Sequence, residues 1–193
     1  LKGEGYRKEI PFGASLHFVR EEDQRFRLAV EICEDLWVPV PPSSKHALAG
    51  ATLLANCSAS DELVGKRGSR RRLLEHYSGN LHASYLYSSA GPSESTQDMV
   101  FSAHCLISEN GRILKENQPF EEGIFWADVN LALLEGERMR QSTYFVKEEP
   151  SYTQYFSMKD KQYTLHRFVS PCPFLPKAVE KEGERAREIL SIQ

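Results

Sequence analysis

The sequence predicts an α/β fold, in which strands alternate with helices. Two observations carry this. Phe26, Leu28, Val30 and Ile32 are spaced by Arg27, Ala29 and Glu31, a period of two that belongs to a strand, and later apolar runs are separated by segments with helical spacing. In addition, Asn110-Gly111 lies between two apolar runs, and a tight type I′ hairpin requires positive φ at both central residues. At 193 residues, with 40% hydrophobic and 26% charged, the chain can bury a core without staples.

The first strand is expected over 25–32. Three prolines, Pro39, Pro41 and Pro42, then break regular structure. Ser43 or Ser44 is placed to cap a short helix that runs to Gly50. Thr52 to Cys57 is nearly all apolar and predicts a buried strand. Asp61 to about Ser78 predicts a helix, with Leu63, Val64, Leu73, Leu74 and Tyr77 inward and Arg70, Arg71 and Arg72 in water. Strands follow over 84–88, 99–107, 112–116 and 123–129, with a loop at 91–95. Leu131 to Gln141 predicts a short helix, and 144–176, rich in aromatic residues and proline, reads as a linker or arm. Ala178 to Gln193 reads as a helix with Val179, Ala186, Ile189 and Leu190 on one side.

The composition excludes some functions. Twenty-four Lys and Arg against 27 Asp and Glu give a net charge of -3, which argues against a nucleic-acid binder. There is no run of 18 apolar residues for a membrane span and no signal-peptide pattern at the start, although the chain begins with Leu1 rather than Met. The four cysteines, Cys33, Cys57, Cys105 and Cys172, are widely spaced with no CxxC pair, so they read as free thiols in a reducing, cytoplasmic compartment and not as metal ligands.

Cys33 stands where an alternating strand stops and irregular chain begins. A thiol at such an elbow lies at the sheet end, where backbone N–H groups can receive a developing oxyanion, and it needs a base or a cation to become a thiolate. The alternative is a small apolar core residue. His46 is the conceivable partner of a Cys–His pair. His104 and Cys105 are strand neighbours and point to opposite faces, which makes them poor co-ligands. Arg67, Arg70, Arg71 and Arg72 read as a solvated helix face or, more sharply, as an anion or subunit contact.

The stretch Glu31-Ile32-Cys33-Glu34-Asp35-Leu36-Trp37, continuing to Ser44, resembles the nucleophile region of the glutaminase domain of glutamine-dependent NAD synthetases, in the nitrilase or carbon–nitrogen hydrolase superfamily. Further stretches resemble the same family in the same order: Asn56-Cys57-Ser58-Ala59-Ser60 with Glu62-Leu63-Val64-Gly65-Lys66, Tyr87 to Gly91 with Glu94, Ser95, Thr96 and Asp98, and Ile107 to Gly111. Glu137 to Thr143 is similar to the family's exit from this domain, and Arg185 to Gln193 to the helix that leads into the synthetase domain.

The resemblance implies a four-layer α-β-β-α sandwich, incomplete in this chain. Residues 1–143 would be the C-terminal portion of the glutaminase domain, and 144–193 the linker and helix toward a synthetase domain. It implies hydrolysis of glutamine at Cys33, with Glu34 and Ser60 at the substrate. The ammonia would serve the ATP-dependent conversion of nicotinic acid adenine dinucleotide to NAD. Ser60 is alternatively a helix cap, and Glu34 a structural carboxylate bonded to loop N–H groups. The family's catalytic Glu and Lys lie upstream of the nucleophile, and the surroundings of Lys2, Glu4, Lys8 and Glu9 do not match their motifs. No cofactor is expected in this segment; ATP and Mg belong to the synthetase domain. A homo-oligomer is expected, with no nucleic-acid or membrane partner. Two other readings stand beside this one: a catalytically incomplete scaffold that helps assemble the oligomer, and another amidase of the superfamily. An incomplete sandwich should leave a sheet edge bare or covered by a partner.

Overall fold

The structure, a computed structural model, describes residues 11–145, 148–159, 164–171 and 182–192. It divides into two units, Leu1–Tyr163 and Thr164–Gln193. Cys172, Val179, Lys2, Glu4, Lys8 and Glu9 lie outside the described residues.

The first unit is built on a sheet of seven described strands: β1 (Leu16–Arg20), β2 (Arg27–Ile32), β3 (Leu53–Ser58), β4 (Ser84–Ser89), β5 (Cys105–Glu109), β6 (Arg112–Glu116) and β7 (Tyr152–Phe156). Their spatial order is β6-β5-β4-β3-β2-β1-β7. The central strands β2, β3 and β4 are parallel, β1 runs antiparallel to β2, and β5 and β6 close one end as an antiparallel meander. The helices are α1 (Pro42–Leu48), α2 (Lys66–Asn80) and α3 (Leu131–Arg140).

Turn chemistry explains most of the boundaries. Pro42 opens α1 at its first position, where a missing N–H costs nothing, and no serine side chain caps it. The β5–β6 hairpin turns at Asn110 and Gly111, with φ of 45° and 81°, as the Asn-Gly pair predicts. Asn130 caps α3 by accepting from the Leu133 N–H at 3.0 Å. The strand β7 comes from the stretch expected to be a linker or arm: it pairs in parallel with β1, Leu16 opposite Tyr152 through Arg20 opposite Phe156. Its mixed aromatic and polar sequence carries no period that marks a strand. The strand β1 was likewise not legible, because its inward residues are His17 and Val19.

Several expectations are corrected. The helix expected from Asp61 begins at Lys66, after Gly65 at φ 83°, so Leu63 and Val64 lie in an exposed loop instead of the core. The segment 123–129 forms no strand. Its end lies instead across one sheet face, where Ala127 and Val129 line a groove of about 370 Å³ with Leu28, Leu53 and Leu86. Arg70, expected in water, is fully buried.

The two faces of the sheet differ. Ala29, Leu54, Tyr85, Tyr87 and Leu106 form the core with Leu36, Ala47, Leu74 and Leu81 on the helical side. The apolar stripe of β2 points the other way. Phe18 and Leu28 are cross-strand partners, and Leu28, Val30 and Ile32 alternate onto one face. On that face Phe18 is 36% exposed, Val30 37% and Ile32 65%. Among the described residues the sheet is open, with β6 and β7 as its edge strands, and an apolar face is left partly exposed as well.

In the second unit, residues 164–171 have no regular structure and α4 (Glu182–Ile192) is a single helix, with an Arg185–Glu188 ion pair at 3.3 Å.

Candidate active site

Ligands of open α/β sheets bind beyond the carboxyl ends of parallel strands. The described strand ends there carry the residues singled out by sequence. Cys33 follows β2, Ser60 follows β3 by two residues, and Ser89 closes β4. Ile32 is opposite Cys57, and Cys57 opposite Ser88, so these ends lie side by side.

Cys33 opens a 3-10 turn, Cys33–Leu36, and has φ 50°. A non-glycine residue in that region costs about 1–3 kcal/mol and persists only where its surroundings hold it. Here the β2 strand ends and Asp35 accepts the Ile32 N–H at 2.8 Å, turning the chain back under itself. The side chain of Cys33 is half-buried.

Directly beneath this turn lies a buried polar cluster that the sequence reading did not single out. Glu31 is 3% exposed and Asn56 1%. Asn56 Nδ2 donates to Glu31 Oε1 at 3.1 Å and to the Cys33 carbonyl at 3.3 Å. The Ser43 N–H donates to Glu31 Oε2 at 2.8 Å, and the Tyr85 hydroxyl donates to Glu31 Oε1. Burial raises the Glu31 carboxyl above the usual range, and the bonds from Asn56 and Ser43 only partly offset it. The signal in the sequence was a Glu and an Asn that follow the apolar inward residues Ala29 and Leu54 on their two strands.

Glu34 is exposed, and among the described residues none bonds its carboxylate. The carboxylate that bonds a loop N–H is Asp35. Ser60 is 7% exposed and caps no helix, because α2 starts six residues later. Trp37 sits under Lys66, whose Nζ lies 5.6 Å from the ring centroid, and Lys66 also pairs with Asp61. This contact ties the chain after Cys33 to the loop after β3.

That loop is held by a second buried network. Arg70 Nη1 donates to Glu62 Oε2 at 3.1 Å and to His104 Nδ1 at 2.8 Å. Arginine only donates, so Nδ1 of His104 accepts and its Nε2–H faces Glu116 Oε1 at 3.1 Å. Burial and the neighbouring Arg70 hold the His104 imidazolium form down. Arg67 and Arg71 pair with Glu116 at 2.9 and 2.7 Å, so three of the four arginines read as a solvated face or anion contact are ion-paired within the chain. The Glu62 N–H also bonds the Val100 carbonyl at 2.7 Å, and the Ala90 N–H the Ser58 carbonyl at 2.9 Å, which laces the loops after β3 and β4 together.

His46 is not the partner of Cys33. Its Nδ1 lies 3.2 Å from His17 Nε2, and both rings are buried. Among the described residues no group of three or more His, Cys, Asp or Glu side chains is arranged to hold a metal ion, and no helix is long and apolar enough to cross a membrane.

Comparison with known proteins adds a family to this geometry. No protein-family model matches the chain. It is 43% identical over 138 residues to a glutamine-dependent NAD(+) synthetase of Mycobacterium tuberculosis, covering 70% of this chain and 20% of that protein. The chain thus spans about a fifth of the length of the curated relatives it matches. Among solved structures it resembles Saccharomyces cerevisiae Nit3, a member of the nitrilase superfamily, with TM-score 0.52, 19% identity, and 61% of this chain and 42% of that chain covered. It also resembles a carbon-nitrogen hydrolase of Helicobacter pylori, with TM-score 0.51, 19% identity, and 59% and 43% covered. These two likenesses show the fold, a nitrilase-type α/β architecture of which this chain holds part.

Proposed function

We propose, from a chain that belongs as a segment to the family of glutamine-dependent NAD(+) synthetases, that it carries the nucleophile of a glutamine-hydrolysing site. The observation that carries the reading is Cys33 at positive φ, at the carboxyl end of a parallel strand, in a chain that is 43% identical to such a synthetase over 138 residues.

In this reading Cys33 attacks the side-chain amide carbon of glutamine. A carboxylate base takes the thiol proton and passes it to the leaving nitrogen, and ammonia departs. Backbone N–H groups and a lysine balance the negative oxygen of the tetrahedral state. Water then cleaves the thioester and releases glutamate. The base and the lysine come from residues upstream of Cys33, on the sheet that covers Phe18, Val30 and Ile32 and completes the four-layer sandwich. Glu34, exposed beside the nucleophile, holds the α-ammonium of glutamine, and Ser60 bonds its head group.

Residues 1–143 are the C-terminal portion of the glutaminase domain, and 144–193 lead toward a synthetase domain. There ATP and Mg²⁺ activate nicotinic acid adenine dinucleotide, and the ammonia yields NAD. The whole protein works in the cytoplasm as a homo-oligomer. The test is ammonia release from glutamine by the full-length protein and by its Cys33→Ala variant. The reading expects hydrolysis in the first and none above background in the second. Equal rates, or hydrolysis of simple aliphatic amides in preference to glutamine, would refute it.

A further inference from the structure

The strain at Cys33 must be held by something, and the sheet supplies one side chain that reaches it. We propose that Asn56 is a positioning residue for the nucleophile, bracing the Cys33 turn through the Cys33 carbonyl, with Glu31 as its anchor. The proposal rests on the reading of Cys33 as the nucleophile.

Three features of the geometry carry it. The first is the change of polarity along the inward face. The row Ala29, Leu54 and Tyr85 meets the helices with two apolar side chains and a ring. One step closer to Cys33, the row is Glu31, Asn56 and Tyr87. A buried carboxylate is expensive, and a merely structural position could be filled by another apolar pair.

The second is the fixed direction of the amide. Ser58 Oγ donates to Asn56 Oδ1 at 2.9 Å, which leaves Nδ2 to donate. Nδ2 bridges Glu31 Oε1 and the Cys33 carbonyl at 3.1 and 3.3 Å. The third is the anchoring of Glu31 itself. Its two oxygens are tied to the Ser43 N–H at the start of α1 and to the Tyr85 hydroxyl on β4. The brace therefore refers the Cys33 turn to three rigid elements, β3, β4 and α1.

The consequence is specific. Asn56 touches the backbone of the nucleophile and not the substrate, so its loss should slow the chemical step and leave glutamine binding nearly unchanged. In the full-length protein, Asn56→Ala is expected to lower kcat for glutamine about 10- to 100-fold with KM changed less than about threefold. Ser58→Ala is the milder variant and keeps a stable core. It is expected to lower kcat about three- to tenfold by freeing the amide to rotate. Alkylation of Cys33 by iodoacetamide, timed against glutathione in the same tube, is expected to slow at least about fivefold in Asn56→Ala.

A drop in kcat with KM preserved, in either variant, supports the brace. Unchanged kcat in Ser58→Ala, together with an unchanged Cys33 alkylation rate in Asn56→Ala, would overturn it. Should Asn56→Ala fail to fold, Ser58→Ala alone decides, by its kcat and its Cys33 alkylation rate. If the wild-type protein does not hydrolyse glutamine, the functional reading fails separately, and the alkylation ratio alone decides whether Asn56 holds the Cys33 turn.

Discussion

Replacing Arg70 by Met should loosen the loops beyond β3 and β4 more than any surface substitution. Met keeps the length and apolar body of the side chain and removes the charge and the donors. The wild-type guanidinium is fully buried, bonds Glu62 and His104, and stacks 5.2 Å from the Tyr87 ring centroid. Removing one partner of a buried pair costs about 3–5 kcal/mol, because the other charge is left uncompensated. The Glu62 side chain is 16% exposed and can regain some water, so the lower end, about 3 kcal/mol, is expected. Burial pushes the Glu62 carboxyl up, and Ser102 and Arg70 outweigh it and hold it below the usual range, so its stabilisation depends on the pair. The assay is native-state amide exchange at Ala90 and Ala103, whose N–H groups bond the carbonyls of Ser58 and Ala90 at 2.9 Å. Protection should fall by about two orders of magnitude, and Arg70→Met combined with Glu62→Gln should recover part of it. The imidazole of His104 should also titrate at higher pH once Arg70 is gone. A loss below about tenfold, or a double variant no better protected than the single, would refute the argument that the stranded Glu62 carries the cost.

Two further outcomes follow from the same packing. Gly79→Ala should destabilise, although alanine normally gains about 0.5–1 kcal/mol inside a helix. Its Cβ would sit 3.2 Å from the Cα of Gly111, backbone that cannot swing aside, and thermal unfolding should report a lower Tm. Acid should unfold the protein through the His17–His46 pair. Burial, His46 and Arg27 lower the His17 pKa to about 4, and burial also lowers that of His46. The folded form therefore holds these rings neutral. Their contribution is complete above about pH 6.5 and is lost as pH falls from there toward 4, because the unfolded chain binds the protons first. A shift of that size corresponds to about 3 kcal/mol for His17. Urea midpoints between pH 7 and 4 should fall in the wild type and flatten in His17→Gln; parallel curves would contradict the assignment.

The features legible in the sequence are those that local chemistry decides. Asn110-Gly111 announces its hairpin because few other pairs accept positive φ twice. The Cys33 elbow was legible from the end of the alternating run. What was not legible depends on which face of the sheet meets the helices. The stripe of Phe26, Leu28, Val30 and Ile32 marks a strand, yet the helices cover Ala29 and Glu31, and Ile32 is left 65% exposed. Period two gives two faces and does not say which is covered first. Arg70 reads as solvated because its partners, Glu62 and His104, come together only when α2 packs against β5. Asn56 and Glu31 escape for the same reason: they are 25 residues apart and meet only through the β2–β3 register. The segment 123–129 has strand composition, but only its end lies across a sheet face, and it joins no strand ladder.

The central claim is that Cys33 is an activated thiol in a glutamine site. The most direct measurement treats the full-length protein with a glutamine-like diazoketone, then digests it and maps the adducts by mass spectrometry, with Cys33→Ala as control. The account predicts one adduct, on Cys33, suppressed by glutamine and absent from the variant. An unlabelled Cys33 in the full-length protein, or labelling of Cys33, Cys57 and Cys105 alike without protection by glutamine, would contradict it.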